Sequence, residues 1–126
     1  MDNPQAVSAF IGTLLHSATL THIKHFQVTG EGSDAAHRAL ADYYEGITDL
    51  VDTVAESIQG AYDELITDYP RTYMEVTADP LEYMRALRTY VKESRLLLPQ
   101  DSEIQNEIDG IATLINSTCY RLGFLR

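Results

Sequence analysis

The chain has 126 residues with a formal net charge of −10, 44% hydrophobic and 22% charged, which is the composition of one ordered globular domain rather than a tail or linker. The first fixed cation is Lys24, so the surface is poor in the Lys and Arg that neutralise nucleic-acid phosphates, and direct DNA binding is not expected. One cysteine, Cys119, cannot close an intrachain disulfide, the start Met1-Asp2-Asn3-Pro4 is not that of a secretory signal, and no uninterrupted apolar run is long enough to span a membrane. A cytoplasmic setting follows, that of a host cell if the gene is viral.

From Pro4, the residues Val7, Phe10, Ile11, Leu14, Leu15 and Ala18 recur at three- and four-residue intervals, which predicts a first amphipathic helix to about Gln27. Thr29 to Asp34 form a short breaker, with Ser33 or Asp34 placed to cap the next helix. The second stripe runs through Leu40, Tyr43, Tyr44, Ile47, Leu50, Val51, Val54, Ile58, Ala61 and Leu65, with no proline before Pro70. Such a helix is on the order of 45 Å long. Asp68 to Pro80 then permits a long crossover back along the bundle.

A third helix is predicted from Pro80 to Leu97 with Tyr83, Leu87 and Val91 inward, broken by Leu98, Pro99 and Gln100. Asp101 or Ser102 caps a fourth, whose face is Ile104, Ile108, Ile111, Leu114, Ile115 and Leu122, ending near Gly123. Four helices with one long connection make an all-α, single-domain chain (1–126) of ferritin-like order, a four-helix bundle with the crossover between helices 2 and 3.

Three of the four histidines, His22, His25 and His37, flank the first hairpin, and helix 2 carries Glu45, Asp49, Asp52 and Glu56 on one stripe. Imidazole nitrogen with carboxylate oxygen suits iron, zinc or manganese. Taken alone, an acidic stripe is ordinarily a solvated face and a histidine at a helix end ordinarily a surface residue. The joint pattern is more specific: His25-Phe26-Gln27-Val28-Thr29-Gly30, then His37, then Asp52 fifteen residues later within Asp52-Thr53-Val54-Ala55-Glu56, resembles the Dps mini-ferritins over helices 1 and 2.

That resemblance implies a metal site of His25, His37, Asp52 and Glu56; by their own place on the helices, His22, one turn before His25, and Asp42 and Glu45, near Ala41, are accessory donors, the last two only with altered geometry. It implies ferrous iron oxidised by peroxide or oxygen, zinc or manganese being able to take its place, and a homo-oligomeric cage, a dodecamer built from twofold dimers. Fifteen helical residues separate His37 from Asp52 by about 22 Å, so one chain cannot bring them to one ion, whereas antiparallel second helices of two copies can.

Two positions depart from the family. Ala41 stands where an acidic residue follows the second histidine by one turn, and Phe26 stands where a tryptophan follows the first. The family's basic N-terminal extension and the Glu-x-x-His motif of larger di-iron bundles are absent too. The alternative expectation is a ferritin-like structural or interaction protein with a degenerate metal site. Elsewhere, Arg85, Arg88, Lys92 and Arg95 form a basic row at helical spacing that fits salt bridging at a surface or interface. His16 reads as structural and Cys119 as a small buried filler.

Overall fold

The computed structural model describes residues 1–75 and 79–125. Helix α1 is Pro4–Gln27, with Pro4 at its first turn, where the missing N–H costs nothing. It buries Val7, Phe10, Ile11 and Leu14 together with small residues, Ser8, Gly12, Thr13, Ser17 and Thr21, that let neighbouring chain approach closely. Leu15, expected on the apolar stripe, is exposed. By length and composition α1 could cross a membrane, but half of its apolar stretch is buried in the bundle.

Helix α2 is Ser33–Tyr62 and is capped differently from expectation. Gly32, with φ of 79°, occupies the cap position, so neither Ser33 nor Asp34 caps the helix; the turn needs a left-handed residue there and glycine supplies it without steric cost. Asp34 lies in the first turn, where its charge suits the helix dipole. The helix stops at Asp63, which takes φ of 51°. The chain therefore leaves the stripe before Leu65, which is 74% exposed instead of in the core, and Ile66 is buried in its stead, its N–H donating to Gln59 Oε1 at 2.9 Å.

The connection after α2 runs back along α1. Ser8 Oγ donates to the carbonyl of Asp68 at 3.3 Å, and Tyr73 lies over Gly12 with its ring 5.1 Å from that of His16. A methyl at Gly12 would run into the Tyr73 ring, which is why glycine fits there. Residues 76–78 of the expected crossover lie outside the described residues. Helix α3, Pro80–Ser94, opens on Asp79, whose carboxylate accepts from the N–H of Leu81 at 2.9 Å. It tightens into a 3-10 turn, Arg95–Leu97, so the predicted end at Leu97 is reached in a different helical form.

Helix α4, Ser102–Phe124, runs through Gly123. Asp101 stands at its cap position, yet the Asp101 carboxylate accepts from the Tyr62 hydroxyl rather than from the helix's own N–H groups.

The packed pairs are α1 with α2 and α3, and α4 with α2 and α3, which closes a ring in which the α1–α2 and α3–α4 edges are opposite. Met1 meets Glu64, and Asn3 meets the carbonyl of Leu97, so the start of α1 lies beside the ends of α2 and α3. Arg121 meets Asp42, so α4 ends where α2 begins. The order is that of a ferritin-like four-helix bundle, α1 and α4 antiparallel to α2 and α3.

The core is a continuous cluster that includes Phe10, Leu14, Leu40, Ile47, Ile58, Met84, Leu87, Ile104, Ile108 and Ile111. Each such side chain contributes about 1.5–3 kcal/mol on leaving water. One polar pair is buried among them. Ser17 Oγ and the Tyr43 hydroxyl are 2.7 Å apart, and Ser17 also donates to the carbonyl of Leu14 at 2.6 Å. Burial pushes the Tyr43 phenol well above its ordinary value, only partly offset by the Ser17 hydrogen bond, and burial does the same to Tyr83.

Candidate metal centre

The end of α1 and the start of α2 hold two histidines in a reciprocal arrangement. His25 Nδ1 lies 2.9 Å from the carbonyl oxygen of His37, and His37 Nδ1 lies 3.0 Å from the carbonyl oxygen of His25. A carbonyl only accepts, so both Nδ1 atoms carry the proton of the pair. Nε2 is the ring nitrogen that this pair of bonds leaves out. The rings stack with centroids 3.6 Å apart and 23° between planes. An imidazole whose second nitrogen is fixed by a backbone carbonyl is the usual preparation of a metal-binding histidine.

The two members differ in environment: His25 is 8% exposed, whereas His37 is open to solvent. His22, one turn before His25, is flattened on Tyr44 with centroids 3.9 Å apart and 12° between planes, and Phe26 lies on its other flank at 5.1 Å. Tyr44 also meets His25 edge-on at 5.4 Å. From the sequence, Tyr44 belongs to the apolar stripe; in the fold it is a half-buried platform for the histidines, while its neighbour Tyr43 is the core residue. The consecutive tyrosines carry no sequence signal for that division of roles.

The carboxylates are elsewhere. Asp52 and Glu56 are exposed on the middle of α2, as are Glu45 and Asp49. Among the described residues, no three His, Cys, Asp or Glu side chains converge to hold a cation. One chain thus pairs His25 with His37 and keeps Asp52 and Glu56 apart from them. Asp42 is engaged by Arg121, Oδ2 to Nη1 at 2.6 Å, on the surface where α4 ends. His16 faces Tyr73 of the crossover, away from the other three histidines, in the structural role expected of it.

Cys119 is buried, and burial pushes its thiol up from the ordinary value; Arg88 and Arg85 pull the other way without overcoming it. It behaves as the small buried residue expected from the sequence.

The chain is an all-α, ferritin-like bundle with an imidazole pair at one hairpin and an acidic stripe down the adjoining helix. Residues 25–122 match the family described as DUF5856, a family of unknown function, and the chain belongs to that family. The matched span opens at His25 and contains His37, Asp52 and Glu56. No curated protein and no solved structure matches the chain.

Proposed function

We propose that this chain is a Dps-like mini-ferritin that binds and oxidises iron at a site closed between two copies. The observation that carries the reading is the reciprocal bonding of His25 and His37, which engages Nδ1 of each ring and leaves Nε2 of each outside that pair of bonds. Two imidazoles alone hold a divalent ion weakly and do little for a trivalent one. Carboxylates must complete the set, and the exposed Asp52 and Glu56, one turn apart, are free to meet the histidines of a second copy.

In that arrangement the neutral histidines take ferrous iron, and the carboxylates favour the higher charge of the ferric product. Two ferrous ions give one electron each to a peroxide, whose O–O bond breaks and which leaves as two waters after taking up two protons. His22, held on Tyr44, is an accessory donor at the rim, and Glu45 extends the acidic lining. Zinc or manganese would occupy the same donors without the oxidation. The assembly is a homo-oligomer of twofold dimers, on the mini-ferritin pattern a dodecamer, in a cytoplasmic setting, and the acidic surface makes DNA a poor ligand.

A second reading is a ferritin-like interaction module without ferroxidase activity. It is favoured by Ala41 in place of an acid, by the commitment of Asp42 to Arg121, and by Phe26, which is 73% exposed beside the histidines.

Sedimentation mass together with ferrous oxidation followed by absorbance separates the two. The ferroxidase reading expects an oligomer, with oxidation lost in both His25→Ala and Asp52→Ala. A monomer whose oxidation rate is that of free iron, unchanged in either variant, overturns it.

A further inference from the structure

The α3–α4 edge lies opposite the histidine hairpin and carries a different chemistry. Arg85, Arg88, Lys92 and Arg95 follow one another at three and four residues, so they share one face of α3 and its 3-10 extension. Arg95 is spent within the chain, donating to Gln105 Oε1 at 3.0 Å, to the Gln105 carbonyl at 3.1 Å and to Asp109 Oδ1 at 2.6 Å. The other three are exposed, and among the described residues none of them forms an ion pair. In a chain with 19 acidic and nine basic residues this is notable, because like charges at this spacing disfavour a helix and an intramolecular carboxylate would have been easy to supply.

Beside Arg88 and Lys92, a half-open cavity of about 710 Å³ lies between α3 and α4. Val91 and Ile115, both buried, and the half-buried Ala112 form its floor, and Leu96, 75% exposed, forms a lip. Glu93 is the single acid on the rim, against three cations. From Arg88 to Leu96 the helix rises about 12 Å, the length of two helical turns.

We propose that this groove docks an acidic amphipathic helix of another protein. Two apolar side chains one turn apart would rest on Ala112 and Leu96, over the buried Val91 and Ile115, and flanking carboxylates would reach Arg88 and Lys92. The charge is complementary in a specific sense: the uncompensated cations border an apolar floor, so the partner must bring acid and hydrophobe together. A second copy of this chain fits less well. Its regular acidic face, Glu45, Asp49, Asp52 and Glu56, is interspersed with the exposed Thr48 and Thr53 and brings no apolar anchor. The inference does not depend on iron chemistry.

The test uses the full chain and a fluorescent 14-residue helical peptide with leucines one turn apart between glutamates. Two control peptides replace the glutamates by lysine or the leucines by serine. Binding of the glutamate–leucine peptide alone is expected, weakened roughly tenfold or more by Arg88→Glu with Lys92→Glu, and reduced by raised salt. Ala112→Phe, which fills the floor but keeps the charges, should weaken it comparably, with circular dichroism showing both variants folded. Equal binding of the serine peptide, or no change in either variant, overturns the proposal. So does failure of the glutamate–leucine peptide to bind more tightly than about 1 mM. Two further outcomes would overturn it in favour of another occupant: pelleting with phosphatidylserine vesicles without peptide binding, or self-association lost in the charge-reversed variant.

Discussion

The histidine hairpin and the acidic stripe of α2 differ in how much of their order this chain supplies. His25 and His37 are each held by the other's backbone, stacked, and fixed in tautomer before any ligand arrives. Asp52 and Glu56 stand exposed on a regular helix, in whichever rotamer water permits. The imidazoles are therefore part of the fold and the carboxylates only part of the surface. A site assembled from both halves would owe its rigidity to the hairpin and its existence to association.

Substitutions at the two halves should separate function from stability. The largest effect expected is on ferrous oxidation, which falls about tenfold or more in both His25→Ala and Asp52→Ala if both are ligands. Equal loss at both positions sharpens the contrast, because their effects on folding should diverge. His25→Ala removes a buried ring and leaves the His37 carbonyl without that partner, costing about 1–3 kcal/mol in urea unfolding. Asp52→Ala should stay within about 0.5 kcal/mol. His37→Ala should fall between them, since water can replace an exposed ring at the carbonyl of His25. Equal costs at His25 and Asp52 would mean that the hairpin histidines are no more part of the fold than the exposed carboxylates.

The buried Ser17–Tyr43 pair offers a control away from both halves. Tyr43→Phe should cost about 1 kcal/mol at neutral pH by leaving Ser17 with its Leu14 bond alone. Its pH dependence is more telling. Burial raises the Tyr43 phenol, so the unfolded chain ionises first, near pH ~10. The stability of the wild type should begin to decline where the unfolded Cys119 thiol ionises, since burial raises that group too, and should fall more steeply above pH ~10. Tyr43→Phe should show a shallower decline, the remainder coming from Tyr83, Cys119, Tyr62 and Tyr69, all raised in the fold, read from urea midpoints between about pH 8 and 11. The smallest effect is expected at the exposed Asp34–Arg38 pair, where Asp34→Ala should change the midpoint by less than about 0.5 kcal/mol.

Much of this architecture is legible along the chain. Pro4 and Pro80 mark helix starts, and the stripes of α2 and α4 place Val51, Val54, Ile58, Ile104, Ile108 and Ile111 in the core, because the helical period is a local property. The errors fall at the ends of elements. Gly32 takes the cap expected of Ser33 or Asp34, Asp63 turns the chain before Leu65, and Asp101 spends its carboxylate on Tyr62. Gly32 and Asp63 act through a left-handed backbone and Asp101 through a partner on another helix, and periodicity specifies neither.

The candidate site divides in the same way. The spacing of His25, His37, Asp52 and Glu56 is written in the sequence, and helix geometry alone shows that one chain cannot gather all four. Which ring nitrogens stay free depends on two backbone carbonyls meeting across a turn. That Tyr44 supports His22 while Tyr43 enters the core, and that Asp42 pairs with Arg121, are contacts between helices. Four amphipathic helices are readable from the chain alone, since their period rests on neighbours within a few residues, whereas where each one stops is not. The tertiary structure decided the hydrogen-bond partners, since those are chosen among groups that only packing brings together.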